Sequence, residues 1–318
     1  MEKQELKQVE LLATKLRRDV LAMLQKRGYG HVGGSLSLAD LYAVLYTKHL
    51  RHRSDNPTWD GRDRIVLSKG HAGPVMYSCL AEEGYFPGEW LFTLNDGGTR
   101  LPSHTDRLKT PGVDATTGSL GQGTSVAAGI AYALHLQHKD NYTYLIVGDG
   151  ELNEGQCWEA FEFIAAHRLS NCIVFIDNNK KQLDGSCEDI LYPFDYTEKM
   201  KAFGFMAQCV NGQDAETLDC AIQRAKDNKS SANAIVLDTI KGAGIPYFEN
   251  AEMNHSMKWN NDEINAATDE AIAGFDQRIA ALAFELNGQS KACPCSGDDD
   301  TQARACTARI QCDEGGEA

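Results

Sequence analysis

No run of about eighteen apolar residues occurs in this 318-residue chain, so no ordinary membrane-spanning helix is expected. The opening residues, MEKQELKQVELL, lack the apolar core of a secretory signal, and a cytoplasmic location is the expectation. Positive charge is scarce: 31 Lys and Arg stand against 45 Asp and Glu, a net charge of −14. That balance argues against nucleic acid and against an anionic membrane as partners. Large apolar residues are nearly missing from residues 287–318, NGQSKACPCSGDDDTQARACTARIQCDEGGEA. Its polar, acidic composition predicts disorder. The alternative is a metal or redox tail built on Cys293, Cys295, Cys306 and Cys312, but their spacing fits no standard zinc pattern. The other six cysteines, Cys79, Cys157, Cys172, Cys187, Cys209 and Cys220, are scattered through helix and strand patterns. They read mostly as small buried apolar residues.

What is present up to residue 286 is an alternation of helical and strand patterns. Val9, Leu12, Leu16, Val20 and Leu24 recur at helical spacing and predict a helix over residues 2–25. A glycine-rich turn, GHVGGSLS, follows at residues 30–37, with Ser37 as expected N-cap of a helix over 38–48. Short apolar runs at 64–68, 144–147, 172–176, 205–210 and 234–240 read as buried strands, with helices between them. A last amphipathic helix is expected over 261–285. The fold class is therefore α/β, one doubly wound and mostly parallel sheet.

The chemistry concentrates in residues 142–185. The strand at 144–147 ends in Gly148-Asp149-Gly150, a helix over 154–168 follows, and the strand at 172–176 ends in Asp177-Asn178-Asn179. Parallel strands joined by a crossover helix end on the same sheet edge, where open α/β sheets bind ligands. Asp149 and Asn179 should thus be neighbours. A carboxylate and an amide oxygen suit Mg²⁺, which takes its remaining ligands from phosphate and water. The flanking glycines, Gly148 and Gly150, admit a diphosphate to the backbone, and the next helix start offers N–H groups. The plainer reading is a βαβ turn, with Gly for the bend and Asn for a cap.

Four of the nine histidines, His31, His71, His104 and His255, lie in predicted loops. If the loops share one edge, these imidazoles can converge on one cleft, where they would hydrogen-bond sugar hydroxyls and move protons near neutral pH. His49, His52, His135, His138 and His167 fall on helix surfaces or ends and read as solvated.

GDG followed about thirty residues later by NN resembles the thiamine-diphosphate motif, and the surroundings are similar to the transketolase family. GHVGGSLS resembles the family's first histidine turn and LSKGHAG its second. His104 stands before GSLGQG as the family's third histidine stands before GPLGQG, with Ser119 in place of proline. His255 follows a KGxG-type loop as the family's fourth does. The resemblance implies that His31, His71, His104 and His255 contact the sugar donor or the cofactor diphosphate. It implies that Gly118, Ser119 and Leu120 meet the thiamine, and that Asp149, Asn179 and the Lys181 carbonyl hold Mg²⁺. Glu154 and Glu159 match glutamates at the family's subunit contact near the cofactor.

The resemblance covers about residues 5–285, the first half of a full transketolase. The part that holds the aminopyrimidine and the sugar phosphate is missing. A separate C-terminal, pyrimidine-binding subunit is therefore the expected partner, in an α₂β₂ assembly acting on sugar phosphates. Alternatives are a subunit of deoxyxylulose-phosphate-synthase type, a 2-oxo acid dehydrogenase alpha subunit, or a non-catalytic cofactor-binding half.

Overall fold

The structure is a computed structural model that describes residues 1–183 and 185–289. The expectations for the cysteine-bearing tail lie outside the described residues.

Helix α1 (Lys3–Arg27) begins with a reciprocal cap, the Glu2 N–H donating to Glu5 Oε2 at 3.0 Å. It stops at Gly28, whose φ of 85° is left-handed. Five strands then form the sheet: β1 (Arg64–Leu67), β2 (Thr143–Gly148), β3 (Cys172–Asn178), β4 (Met206–Asn211) and β5 (Asn233–Asp238). Their order is β1-β2-β3-β5-β4, and every pair is parallel, as the continuous apolar runs imply. The other main helices are α2 (Ala39–Val44), α3 (Gly73–Glu82), α4 (Gln122–Leu136), α5 (Gly155–Ala166), α6 (Tyr196–Ala202), α7 (Ala215–Asp227) and α8 (Asp262–Gln289).

Strand side chains alternate between two cores, one on each face of the sheet. Ile65, Leu67, Tyr144, Ile146, Ile173, Phe175, Ile235 and Leu237 pack toward α1, α2, α3 and α7. Val66, Leu145, Val147, Val174, Ile176, Ala234 and Val236 pack toward α4, α5 and α6. Each fully buried large apolar side chain stabilises by roughly 1.5–3 kcal/mol.

Helix α8 lies along α1. Lys7 pairs with Glu285 at 3.0 Å, Arg278 with Glu10 at 2.5 Å, and Gln25 donates to Asp269 at 2.8 Å. A two-residue strand, Tyr29–Gly30, pairs antiparallel with Met257–Lys258. Both pieces are too short to show a periodicity.

Two local expectations are corrected. Ser37 is not an N-cap: it has helical dihedrals and closes a short turn, Gly33–Leu36, while Leu38 precedes the next helix. Its hydroxyl donates to Asp177 Oδ2 at 2.7 Å and also lies 3.2 Å from the Gly34 carbonyl. His49 is not solvated. Helix α2 runs into a wider π-type turn, Leu45–His49, and the His49 ring is buried with Nε2 2.9 Å from Asp219 Oδ1 on α7. His52 is half-buried between Tyr46 and Tyr85, whereas His135, His138 and His167 are exposed. Of the six described cysteines, Cys79, Cys157, Cys172 and Cys187 are buried, while Cys209 and Cys220 are exposed.

Among the described residues, no helix is long and apolar enough to cross a membrane.

Candidate active site

The parallel register sets four strand ends in a row. Gly148 of β2 pairs with Asp177 of β3, and Asn178 pairs with Asp238 of β5. The segments that follow, at 68–71, 149–151, 179–183 and 239–244, converge with the turn at 30–37 on one cleft. Its lining includes His31, His71, His104, His255, Gly118, Leu120, Gly148, Asp149, Gly150, Asn179 and Lys181. Ser119 and Glu154 do not line it: both are exposed, as is Glu159 on α5.

The four histidines meet. The His31 ring lies 5.4 Å from His71, 5.5 Å from His104 and 5.1 Å from His255, centre to centre, and His71 lies 4.7 Å from His255. The strand pair at 29–30 and 257–258 brings His31 and His255 together, and the Gly33 N–H fastens the turn to the Asn254 carbonyl at 3.0 Å. Burial, and then neighbouring positive charge, pushes His31 down to about 4 and His255 down to about 3. His71 is driven well below the ordinary value by burial and Lys69, and His104 falls through burial. These rings are neutral at pH 7. Lys241 Nζ lies 3.3 Å from His255 Nδ1. An ammonium donating to Nδ1 assigns the proton of His255 to Nε2.

At pH 6.5 and below, the unfolded chain takes up protons that folded His31, His255 and His49 (also pushed down to about 4, by burial) refuse. Stability is thus full above pH 6.5 and falls as pH drops toward 4. Each ring contributes up to about 1.4 kcal/mol per pH unit before discounting for partial exposure. Asp149 opposes this with a raised value. We expect the cofactor-free chain to be about 2 kcal/mol less stable at pH 5 than at pH 7, read by urea denaturation at the two pH values.

Beneath the histidines lies Asp177, fully buried, which accepts from four segments at once. Its donors are Ser37 Oγ at 2.7 Å, Asn179 Nδ2 at 2.9 Å, Thr239 Oγ1 at 2.5 Å and the Lys69 ammonium. Although burial alone would raise it, Lys69 and the hydroxyl donors hold its carboxyl below the ordinary value. Asp149 is treated differently: burial and the adjacent Asp177 push it up to about 6. Its Oδ1 accepts from Gly150 N–H at 2.8 Å and its Oδ2 from Lys180 N–H at 2.5 Å. Lys180 reaches that position at φ 67°, a left-handed conformation uncommon outside glycine.

The residues present fit Mg²⁺ and a diphosphate. Asn179 is oriented by its bond to Asp177, so its Oδ1 is turned away from Asp177 and accepts from Lys181 N–H at 3.2 Å. The Lys181 carbonyl already faces a cation, Lys241 Nζ at 2.9 Å. One carboxylate, one amide and one peptide oxygen form a hard, sparse donor set of the Mg²⁺ type. Correspondingly, no group of three His, Cys, Asp or Glu suited to a metal is found among the described residues. Lys69 and Lys241, both buried, place positive charge beside the glycines at 148 and 150. Burial lowers Lys241 to about 8, a cost that an anion would relieve. A side chain at Gly118 would put its Cβ 2.9 Å from the His104 ring, so glycine is required there.

Lys69, Lys241, Glu151, Gln182 and Leu183 also line the cleft and were not singled out from sequence. The two lysines had a signal: each precedes a glycine just past a strand end, in KGH and KGAG.

Comparisons with known proteins give the family. Residues 9–304 match the family "Transketolase, thiamine diphosphate binding domain". The chain is 45% identical to the 6-deoxy-6-sulfo-D-fructose transketolase subunit of Clostridium sp. (strain MSTE9), over 81% of this chain and 94% of that one. It is 34% identical to a subunit of the apulose-4-phosphate transketolase of Actinobacillus succinogenes, over 83% of this chain and 95% of that one. Transketolase from Campylobacter jejuni superposes with a TM-score of 0.77 at 28% identity, over 96% of this chain but 50% of its own. The chain thus spans about half the length of that enzyme and nearly the whole of the two subunits. It belongs to the transketolase family, as the N-terminal, thiamine-diphosphate-binding half of that enzyme.

Proposed function

We propose that this chain works with a separately encoded pyrimidine-binding subunit, in an α₂β₂ assembly in the cytoplasm, to transfer a two-carbon ketol unit from a ketose to an aldose phosphate. The observation that carries this reading is the meeting of four neutral histidines above a hard-cation and diphosphate end in one cleft. Thiamine diphosphate, when bound, supplies a carbanion sink. The chain's own residues do the rest of the binding work on this side. Asp149, Asn179 and the Lys181 carbonyl hold Mg²⁺, and Lys69 and Lys241 counter the diphosphate charge. His31, His71, His104 and His255 bond the hydroxyls of the sugar donor, and His255 presents its Nε2–H as a donor.

The 45% identity to a subunit named for 6-deoxy-6-sulfo-D-fructose favours a ketose with an anionic group at the far end. General pentose-phosphate substrates are the second reading. The test is ketol transfer with Mg²⁺ and thiamine diphosphate, from 6-deoxy-6-sulfofructose or from xylulose 5-phosphate, using the chain alone and then with its partner. Activity is expected only in the mixture, and the preferred donor separates the two readings. Transfer by the chain alone would sink the two-subunit proposal.

A further inference from the structure

Glu151 has no part in the reading above, yet it is buried and lines the cleft. Its Oε1 accepts from Ser68 Oγ at 2.5 Å and from Gly121 N–H at 2.8 Å, and its Oε2 accepts from Gly148 N–H at 3.1 Å. These donors come from three segments. Ser68 follows β1, Gly121 caps the start of α4, and Gly148 ends β2 immediately before Asp149. The turn at 118–121 is also clasped from α5, where Gln156 Nε2 donates to the Leu120 carbonyl at 2.9 Å. The cleft therefore has two unlike parts. One is the charged end at Asp149, Lys69 and Lys241, and the other is the apolar wall where Leu120 stands. Glu151 bonds the backbone of both.

We propose that Glu151 is a positioning residue: its carboxylate sets the apolar Leu120 turn at a fixed distance from the diphosphate end, so that one ligand can satisfy both. The inference rests on the thiamine-diphosphate reading and deepens it. A ligand with a diphosphate and an apolar ring depends on that distance, whereas a ligand with the diphosphate alone does not. Glutamine at 151 keeps the shape but sets an NH₂ group against one of the three donors, because an amide has a single acceptor oxygen.

The experiment titrates the full-length chain in complex with its pyrimidine-binding partner subunit, using thiamine diphosphate and inorganic pyrophosphate, each at saturating Mg²⁺, for the unaltered chain, Glu151→Gln and Ser68→Ala. Thiamine diphosphate is expected to weaken about tenfold in Glu151→Gln and about threefold in Ser68→Ala, on the scale of one charge-assisted hydrogen bond. Pyrophosphate should weaken less than about twofold in either, since its contacts lie at one end only. Equal weakening of both probes overturns the proposal and leaves Glu151 merely structural, and so does undiminished thiamine diphosphate binding. Ser68→Ala deletes one hydroxyl and decides the matter if Glu151→Gln does not fold. An unaltered complex that binds thiamine diphosphate no better than pyrophosphate overturns the cofactor reading itself, and the positioning role with it.

Discussion

Replacing Asp177 with asparagine lowers the unfolding free energy of the chain by about 3–5 kcal/mol, the cost of leaving a buried charge without its counter-ion. The stranded group is the Lys69 ammonium, 1% exposed, whose remaining bond is to the Gly34 carbonyl at 2.9 Å. Asparagine also turns an NH₂ toward a place where four donors already converge, so at least one of Ser37, Asn179 and Thr239 loses its acceptor. Urea denaturation at pH 7 reads the loss directly. Lys69→Met is a milder change, because Asp177 keeps three donors and methionine fills the space of the lysine stem. A loss in Asp177→Asn no larger than in an exposed Asp→Asn control would show that the four-way junction does not hold the loops together.

Replacing Asp149 with asparagine acts in the opposite direction on stability and far more strongly on function. Asp149 is pushed up to about 6 by burial and by Asp177, so at pH 7 the cofactor-free fold carries a strained carboxylate. A raised carboxylate costs stability above its folded value, here on the order of 2–3 kcal/mol. Asparagine removes that cost but leaves one of the Gly150 and Lys180 N–H groups without an acceptor. The cofactor-free variant should therefore be as stable as the original chain or more so, by up to about 2 kcal/mol. Ketol transfer in the mixture with the partner should fall on the order of 10³-fold, the scale of several kcal/mol of metal-borne stabilisation. Calorimetric titration with Mg²⁺ and thiamine diphosphate should show the matching loss of binding. Full activity with weakened stability would reverse the roles assigned to the two aspartates.

These two carboxylates show what the sequence displays and what it hides. Asp149 stood at the end of an apolar run between two glycines, and its neighbour Asn179 stood at the end of the next run; parallel topology then placed them together. His71 was legible for the same reason, since it follows β1; His31, His104 and His255 were picked out by their loops and by the family's motifs. Asp177 was visible only as part of an amide-rich turn, because its partners Ser37, Lys69 and Thr239 lie far away along the chain. Periodicity reports which face a residue occupies, and not which distant donor it meets. Ser37 was misread for that reason: its residue type is right for a cap, and a tertiary acceptor 140 positions away took its hydroxyl. His49 was misread because one wider turn rotated a helix-end residue from solvent onto Asp219. Glu151 was not singled out from sequence, because its three donors, Ser68, Gly121 and Gly148, meet only in the fold.

The pairing of α1 with α8, and of Tyr29–Gly30 with Met257–Lys258, makes an early-translated segment wait for a late one. The apolar stripe of α1 and the His31 turn leave the ribosome roughly 235 residues before α8 begins, which at 5–20 residues per second is about 10–50 s. During that interval the stripe is partly uncovered and the cleft lacks Lys241 and His255. A nascent chain stalled near residue 240 should therefore be a client for chaperones and a target for proteases, although all five strands of the parallel sheet have been synthesised. Chains truncated before α8 should be recovered as aggregates rather than as smaller working domains.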